Sequence, residues 1–246
     1  MKKFPLILTI FLLCALVCVL CACGQPDEPL PEADYSSLAA NDYRVSESKT
    51  SEFKLFIPEA ENLSWGFVFY LGTAMSTENY DNILRKIAAA GVAVCVPANP
   101  FPDLLYEEEE SAFDLLGAQN YFFGGHSQGG GAAVRRACEN LALARGVVLY
   151  SPLVSNDFTL ADKTLPAIYF EAENDNVLSA AMQNNAKHRM NENCEFVTLT
   201  GAGHMCYGTS SLLDGGGTIR DKAEIQAEVA QKTLAFMQQV IDESAT

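Results

Sequence analysis

A serine stands between two glycines near the middle of the chain, in the run Gly125-His-Ser127-Gln-Gly129. This Gly-x-Ser-x-Gly spacing is typical of a sharp turn from a strand into a helix, which holds a serine hydroxyl exposed as a nucleophile. Gly125 and Gly129 lack a Cβ and so relieve the crowding of such a turn. A glycine-rich turn without chemistry is the alternative, but the apolar run before Ser127 and the alanine-rich run after it favour a nucleophile.

A nucleophilic serine needs a base within reach, and histidine is the usual one. The chain has three histidines. His126 is next to Ser127, where the turn points neighbouring side chains in different directions, and His188 lies in a polar helical run. His204 follows the last predicted strand in a glycine-rich loop and comes after the serine in the chain. We therefore predict that His204 is the base.

A carboxylate that accepts a hydrogen bond from the histidine would complete the set. Three candidates follow an apolar run late in the chain: Glu171, Glu173 and Asp175. Glu171 is expected to lie on the strand itself. Asp175 lies furthest into the following loop and is the preferred acid, with Glu173 as the second candidate.

Short apolar runs alternate with amphipathic stretches from residue 53 onward. This alternation predicts an α/β fold with a mostly parallel sheet and helices on both faces. Residues at the carboxyl ends of such strands collect at one edge, which places the candidate residues together. The predicted strands are 53–58 (as an edge strand), 65–71, 92–96, 121–123, 146–150, 167–170 and 194–199, and the predicted helices are 79–90, 128–141, 179–189 and 222–241.

In this order of elements, residues 53–241 resemble the α/β-hydrolase superfamily, and most of all its compact bacterial branch of dienelactone-hydrolase-like and related small esterases. The similar segments are YLGT after the second strand, the GGHSQGG turn, the EAENDNV acid loop and the GAGHMCYG histidine loop. The resemblance implies an oxyanion hole made by the backbone N–H of Gln128 and by one from the turn after Gly72, assigned to Thr73. The run Leu71-Gly72-Thr73 departs from the His-Gly opening that is common in lipases.

These residues predict hydrolysis of a carboxylic ester through an acyl-enzyme, with no cofactor. The connections at 74–80 and 153–165 leave little room for a lid, which favours a small or exposed acyl group. Acyl transfer by the same triad is one alternative. A non-catalytic surface lipoprotein that binds ligands on a hydrolase scaffold is another, although an intact set of Ser127, Asp175 and His204 argues for an enzyme.

The N-terminus has the pattern of a bacterial lipoprotein signal. Two lysines precede an apolar stretch at 4–20, and the small residue Ala22 precedes Cys23. We expect residues 1–22 to be the signal peptide, Cys23 the lipidated residue, 23–50 an acidic Pro/Ser-rich tether, and 51–246 the hydrolase domain. This predicts an extracytoplasmic protein held to the membrane by its lipid. An uncleaved transmembrane anchor is the alternative.

The formal net charge of −15, from 16 Lys and Arg against 31 Asp and Glu, argues against a nucleic-acid partner. The cysteines of the predicted domain show no Cys-x-x-Cys spacing that would indicate a metal site, and the acidic run at 107–110 is interpreted as a charged helix start. The sequence assigns neither an oligomeric state nor a disulfide among the domain's Cys95, Cys138, Cys194 and Cys206. The glycine-rich run Asp214–Gly217 is interpreted as a flexible turn beside the site.

The lipoprotein signal gives the first testable prediction. Intact-mass analysis of protein extracted from membranes should find a chain that begins at Cys23 and carries added acyl mass. A mature membrane form with an unmodified Met1 would contradict it.

Overall fold

Eight strands form one mixed sheet within the part of the chain that the structure describes, in the order β1-β2-β4-β3-β5-β6-β7-β8. The structure is a computed structural model that describes residues 29–98, 108–210, 212, 214 and 217–245. The strands are β1 Val45–Lys49, β2 Phe53–Pro58, β3 Trp65–Tyr70, β4 Ala93–Pro97, β5 Asn120–His126, β6 Ala144–Tyr150, β7 Ala167–Ala172 and β8 Cys194–Leu199. The helices are α1 Asp81–Ala89, α2 Glu108–Leu116, α3 Gln128–Glu139, α4 Ala180–Lys187 and α5 Lys222–Ser244, with short 3₁₀ turns at Leu38–Ala40 and Thr77–Tyr80.

The strands from β3 onward are parallel to one another, and only β1 and β2 run antiparallel to their neighbours. The central strands are buried along most of their length, and all six residues of Trp65–Tyr70 are buried. Strands of this kind need helices on both faces of the sheet. Two buried clusters meet that need: α1 and α5 pack on one face, and α2, α3 and α4 pack on the other. The predicted α/β-hydrolase fold is confirmed.

The strand order places the carboxyl ends of β3 and β5 side by side, although β4 and α2 lie between them in the chain. The order reverses here, because β4 pairs on one side of β3 and β5 on the other. Loops that leave a parallel sheet at such a point diverge and open a crevice. The turn after β3, the Ser127 turn, and the loops after β7 and β8 all emerge at this end of the sheet.

The folded body begins earlier than the sequence predicts. Val45–Lys49 forms the edge strand β1, so the strand at 53–58 is paired on both sides and is not the edge. Four of the five β1 side chains are exposed, as expected of an edge strand, and the run VSESK therefore carries no apolar alternation that would reveal it.

The segment before β1 is held on helix α5. Leu38 is buried in the core, its N–H donates to Oε1 of Gln238 over 2.6 Å, and the Gln238 amide donates to the carbonyl of Tyr35 over 3.0 Å. The chain divides into two units, Met1–Pro31 and Glu32–Thr246. Residues from about 32 onward are therefore grouped with the folded body, whereas the sequence predicts a domain start at residue 51. The predicted signal peptide and Cys23 lie outside the described residues.

No helix among the described residues has the length and apolar character needed to cross a membrane. Cys95, Cys138, Cys194 and Cys206 are all free thiols in this part of the chain.

The docking of the segment before β1 can be tested by stability. Leu38→Ala should lower the free energy of unfolding by about 3 kcal/mol, because it leaves a cavity in the core. Leu30→Ala is the matched control, since Leu30 is 45% exposed and should change stability little. Urea unfolding of the two variants measures the difference. Equal stabilities would contradict the assignment of residues 32–50 to the folded body.

Candidate active site

Ser127 occupies the turn between β5 and α3 in a backbone conformation that side chains rarely adopt, with φ 54° and ψ −121°. The turn is possible because the residues two positions before and two positions after Ser127 are glycines. A Cβ on Gly125 would lie 2.3 Å from the carbonyl oxygen of Gly129, and one on Gly129 would lie 2.2 Å from that of Tyr70. Both contacts involve backbone that has no room to yield. The two glycines therefore have the role that the sequence predicts for them.

Backbone hydrogen bonds hold the strained residue in place. The N–H of Ser127 donates to the carbonyl of Tyr150 over 3.0 Å, and its own carbonyl accepts from Gly130 and Leu153 over 3.0 and 2.8 Å. Such strain persists only where the surroundings over-determine the conformation, and it is commonest at functional sites. Among the described residues, no group forms a hydrogen bond with the Ser127 hydroxyl.

His204 and Asp175 meet in a buried pair, with 2.7 Å between Nδ1 and Oδ2 and both side chains almost fully enclosed. The other carboxylate oxygen, Oδ1, accepts from the N–H groups of Val177 and Leu178, each over 2.9 Å. Burial alone would raise the pKa of Asp175, but the hydrogen bonds from His204 and the two amides outweigh it and lower the pKa. Asp175 is therefore ionised at neutral pH. Because its carboxylate accepts a hydrogen bond from the His204 ring, the proton of the neutral imidazole is held on Nδ1.

The other two carboxylates of the acid loop have different partners. Glu173 accepts the N–H of Gly201 over 2.7 Å and so braces the start of the histidine loop. Glu171 pairs with Lys187 over 2.7 Å. Of the three acids that the sequence offers, the structure brings Asp175 to His204.

Ser127 and His204 line one cleft of about 180 Å³. Most of the remaining lining is apolar, from Leu153, Val177, Leu178, Met182 and Met205. A second, more polar groove of about 330 Å³ lies beyond Gln128 and Leu153, which line both spaces. The serine and its candidate base thus open toward an apolar space, with further room beside it.

The two expected oxyanion donors, Gln128 and Thr73, also line the cleft with Ser127. Among the described residues, neither backbone N–H has a hydrogen-bond partner, so both are available to a ligand. The Thr73 hydroxyl donates to the Gln128 side-chain oxygen, which ties the turn after β3 to the first turn of α3. An N–H pair at a helix N-terminus can stabilise a negative oxygen.

Two residues that the sequence did not assign to the site also support it. His126 is fully buried behind Ser127 and has hydrogen bonds at both ring nitrogens. Asp214 is buried too: its carboxylate accepts from the Met205 N–H and from the Thr218 hydroxyl, over 3.3 and 2.9 Å. Asp214 therefore braces the histidine loop, where the sequence suggested only a flexible turn. No sequence pattern marks either role. The hydrogen bonds of His126 join it to residues 46 and 78 positions away, and the glycine-rich run around Asp214 indicates only a turn.

His188 directly follows α4 and is exposed, as its polar surroundings predict. No group of three or more His, Cys, Asp or Glu side chains within the described ranges could hold a metal ion.

Comparisons with known proteins identify the fold and the family of the chain. Two solved structures share the fold at low identity: a CIB-like hydrolase from Thermoplasma acidophilum (13% identical, TM-score 0.62, covering 80% of this chain and 99% of that one) and TT1662 from Thermus thermophilus (15%, 0.57, 80% and 98%). No curated protein sequence matches the chain. Residues 66–228 match the alpha/beta hydrolase family, and because this is more than half of its length, the chain belongs to that family.

The choice between the two acids is testable. Asp175→Asn should lower turnover of a susceptible substrate by about 10⁴-fold, since a neutral amide no longer fixes the histidine or stabilises its charged form. Glu173→Gln should cost far less, because its oxygen can still accept from Gly201. The rates of the two purified variants decide the matter, and the opposite ranking would transfer the role to Glu173.

Proposed function

We propose that the protein is a serine esterase that hydrolyses a carboxylic ester through an acyl-enzyme, with Ser127 as nucleophile, His204 as base and Asp175 as the acid. Membership of the alpha/beta hydrolase family supports a hydrolase in general terms. The observation that carries the finer assignment is the strained Ser127 turn, which shares a cleft with the buried His204–Asp175 pair.

In the proposed reaction, Nε2 of His204 removes the proton of the Ser127 hydroxyl while Oγ attacks the ester carbonyl. The N–H groups of Gln128 and Thr73 stabilise the oxyanion of the tetrahedral intermediate. The intermediate collapses as the imidazolium protonates the departing alcohol, which leaves the acyl group on Oγ. Water, deprotonated by His204, then attacks the acyl carbonyl and releases the acid and the free serine.

The apolar lining and modest volume of the cleft support a short acyl group as substrate. A cleft of about 180 Å³ is small beside the usual range for ligand pockets, so a long acyl chain would extend into solvent or into the neighbouring groove. Acyl transfer would use the same acyl-enzyme, and no described contact favours an acceptor other than water.

The same proposal places the enzyme outside the cytoplasmic membrane, tethered by a lipid on Cys23. The support for this part is the arrangement of basic, apolar and small residues before Cys23. The formal net charge of −15 disfavours binding of the folded body to an anionic bilayer surface.

The test is whether Ser127 and His204 act as one unit. Ser127→Ala and His204→Ala should each abolish most turnover of nitrophenyl acetate, and the double variant should lose little more, because members of a triad are strongly non-additive. A fluorophosphonate should label the native protein and not Ser127→Ala. Rates should fall along a series of longer acyl chains.

Ser48→Ala and His188→Ala are matched controls, since both residues are exposed and lie outside the cleft. Both should retain native rates. Normal turnover by Ser127→Ala would reject the serine-esterase proposal, and multiplicative losses in the double variant would reject the pairing with His204.

A further inference from the structure

A chain of hydrogen bonds runs beneath the cleft and joins three loops. The N–H of Gly72 donates to the Tyr80 hydroxyl oxygen over 3.2 Å, and that hydroxyl is 2.8 Å from Nδ1 of His126. On the other side of the ring, Nε2 of His126 is 2.9 Å from the backbone carbonyl of His204. The turn after β3, the nucleophile turn and the histidine loop thus meet at one imidazole.

The donor in each of these bonds follows from the chemistry of the partners. A carbonyl oxygen only accepts, so Nε2 of His126 must carry the proton that bonds to His204. A neutral imidazole then has a bare Nδ1, which accepts from the Tyr80 hydroxyl, while the same hydroxyl oxygen accepts from Gly72. All four groups are satisfied in this single arrangement.

The environment keeps His126 neutral. The side chain is fully buried, and its ring centroid is 4.7 Å from that of His204 and 5.2 Å from that of Tyr207. Burial and the neighbouring His204 lower the pKa of His126 to about 3. A charged His126 would also oppose the imidazolium that His204 must become during catalysis. The neutral ring braces the loop without adding a competing charge.

The imidazole of His126 fits against the turn after β3 because residue 72 is a glycine. A Cβ on Gly72 would lie 2.7 Å from Nδ1 of His126 and 3.2 Å from the Tyr80 hydroxyl. The residue before Thr73 therefore has no side chain because the imidazole occupies the space.

We propose that His126 is a positioning residue, which sets the placement of His204 and of the Thr73 donor relative to Ser127 through its two ring hydrogen bonds. This inference rests on the proposed function of the cleft and deepens it. It predicts that the polar atoms of His126 matter for turnover, and that filling the same volume with apolar atoms is not sufficient.

Two variants of similar size distinguish the hydrogen bonding of His126 from its filling of space. In His126→Gln, the terminal amide can still donate to the His204 carbonyl. In His126→Met, a chain of the same length fills the space and makes neither bond. We expect kcat of His126→Met to fall by about 10²-fold with little change in KM, as a small misplacement of catalytic groups requires. His126→Gln should retain much more of the native kcat, although the methionine should suit the buried site at least as well for stability.

Tyr80→Phe keeps the ring and removes only the hydroxyl, so it tests the Gly72 side of the chain without a large packing change. Tyr121→Phe is the matched control: Tyr121 is a buried tyrosine at the other end of β5, and its hydroxyl donates to the carbonyl of Phe113 over 3.2 Å, away from the cleft. Tyr80→Phe should lower kcat, and Tyr121→Phe should not.

A readout independent of esterase activity completes the test. The ¹⁵N spectrum of native His126 should show the Nε2–H form without titration between about pH 5 and 8. The titratable groups that face it are Tyr80, Tyr207 and His204, with Asp175 behind His204. Amide exchange at Gly72 and in the histidine loop should quicken in His126→Met.

Equal kcat for the methionine and glutamine variants would overturn the proposal, as would an Nδ1–H form or a titrating His126. If the native protein hydrolyses no ester, the proposed function fails separately. The spectrum and the exchange rates then still decide whether His126 holds the loops.

Discussion

The left-handed backbone of Ser127 is the constraint on which the site depends. A side chain held at φ 54° needs glycine at both flanking motif positions and a carbonyl from β6 to receive its N–H. It therefore needs β5, α3 and β6 in a fixed relation, and a buried parallel sheet provides that rigidity. The turn also ends where the strand order reverses, so the loops after β3, β7 and β8 converge on the same hydroxyl. The backbone strain is confined to Ser127, but the packing of the whole sheet is needed to maintain it.

The carboxylates around that turn each accept hydrogen bonds from the loops beside them. Asp175 accepts hydrogen bonds from two backbone N–H groups and from the His204 imidazole. Asp214 accepts from two backbone N–H groups and one hydroxyl, and Glu173 accepts from the N–H of Gly201. Buried polar atoms without partners would cost free energy and would let the loops rearrange. The N–H groups of Gln128 and Thr73 are left open at the cleft instead. An amide without an internal partner at this point is what a developing oxyanion requires.

The sequence predicts the fold well where burial leaves a pattern. Continuous apolar runs identify β3 to β8 to within a few residues, and the Gly-x-Ser-x-Gly spacing identifies the turn. It fails for β1, whose solvated side chains resemble those of a tether, and for the segment that contains Leu38, which depends on a helix two hundred residues away. Chain order could propose Asp175 over Glu173, since distance into the loop is visible in a sequence. The partners of His126 could not be proposed, because they arise only when separate loops meet. Those of Asp214 are close to it in sequence, but the glycine-rich run around it predicts only a flexible turn.

The close approach of His126 to Gly72 has a consequence for how this chain can vary. The imidazole of His126 occupies the space that a Cβ on residue 72 would need. The residue types at positions 72 and 126 therefore depend on each other. A relative with a side chain at position 72 would need a smaller residue before its nucleophile, and its histidine loop would have to be held by other contacts. A substitution at only one of the two positions would therefore create either a clash or an empty space. A designer who grafts this turn onto another scaffold would therefore need to move positions 72, 80 and 126 together.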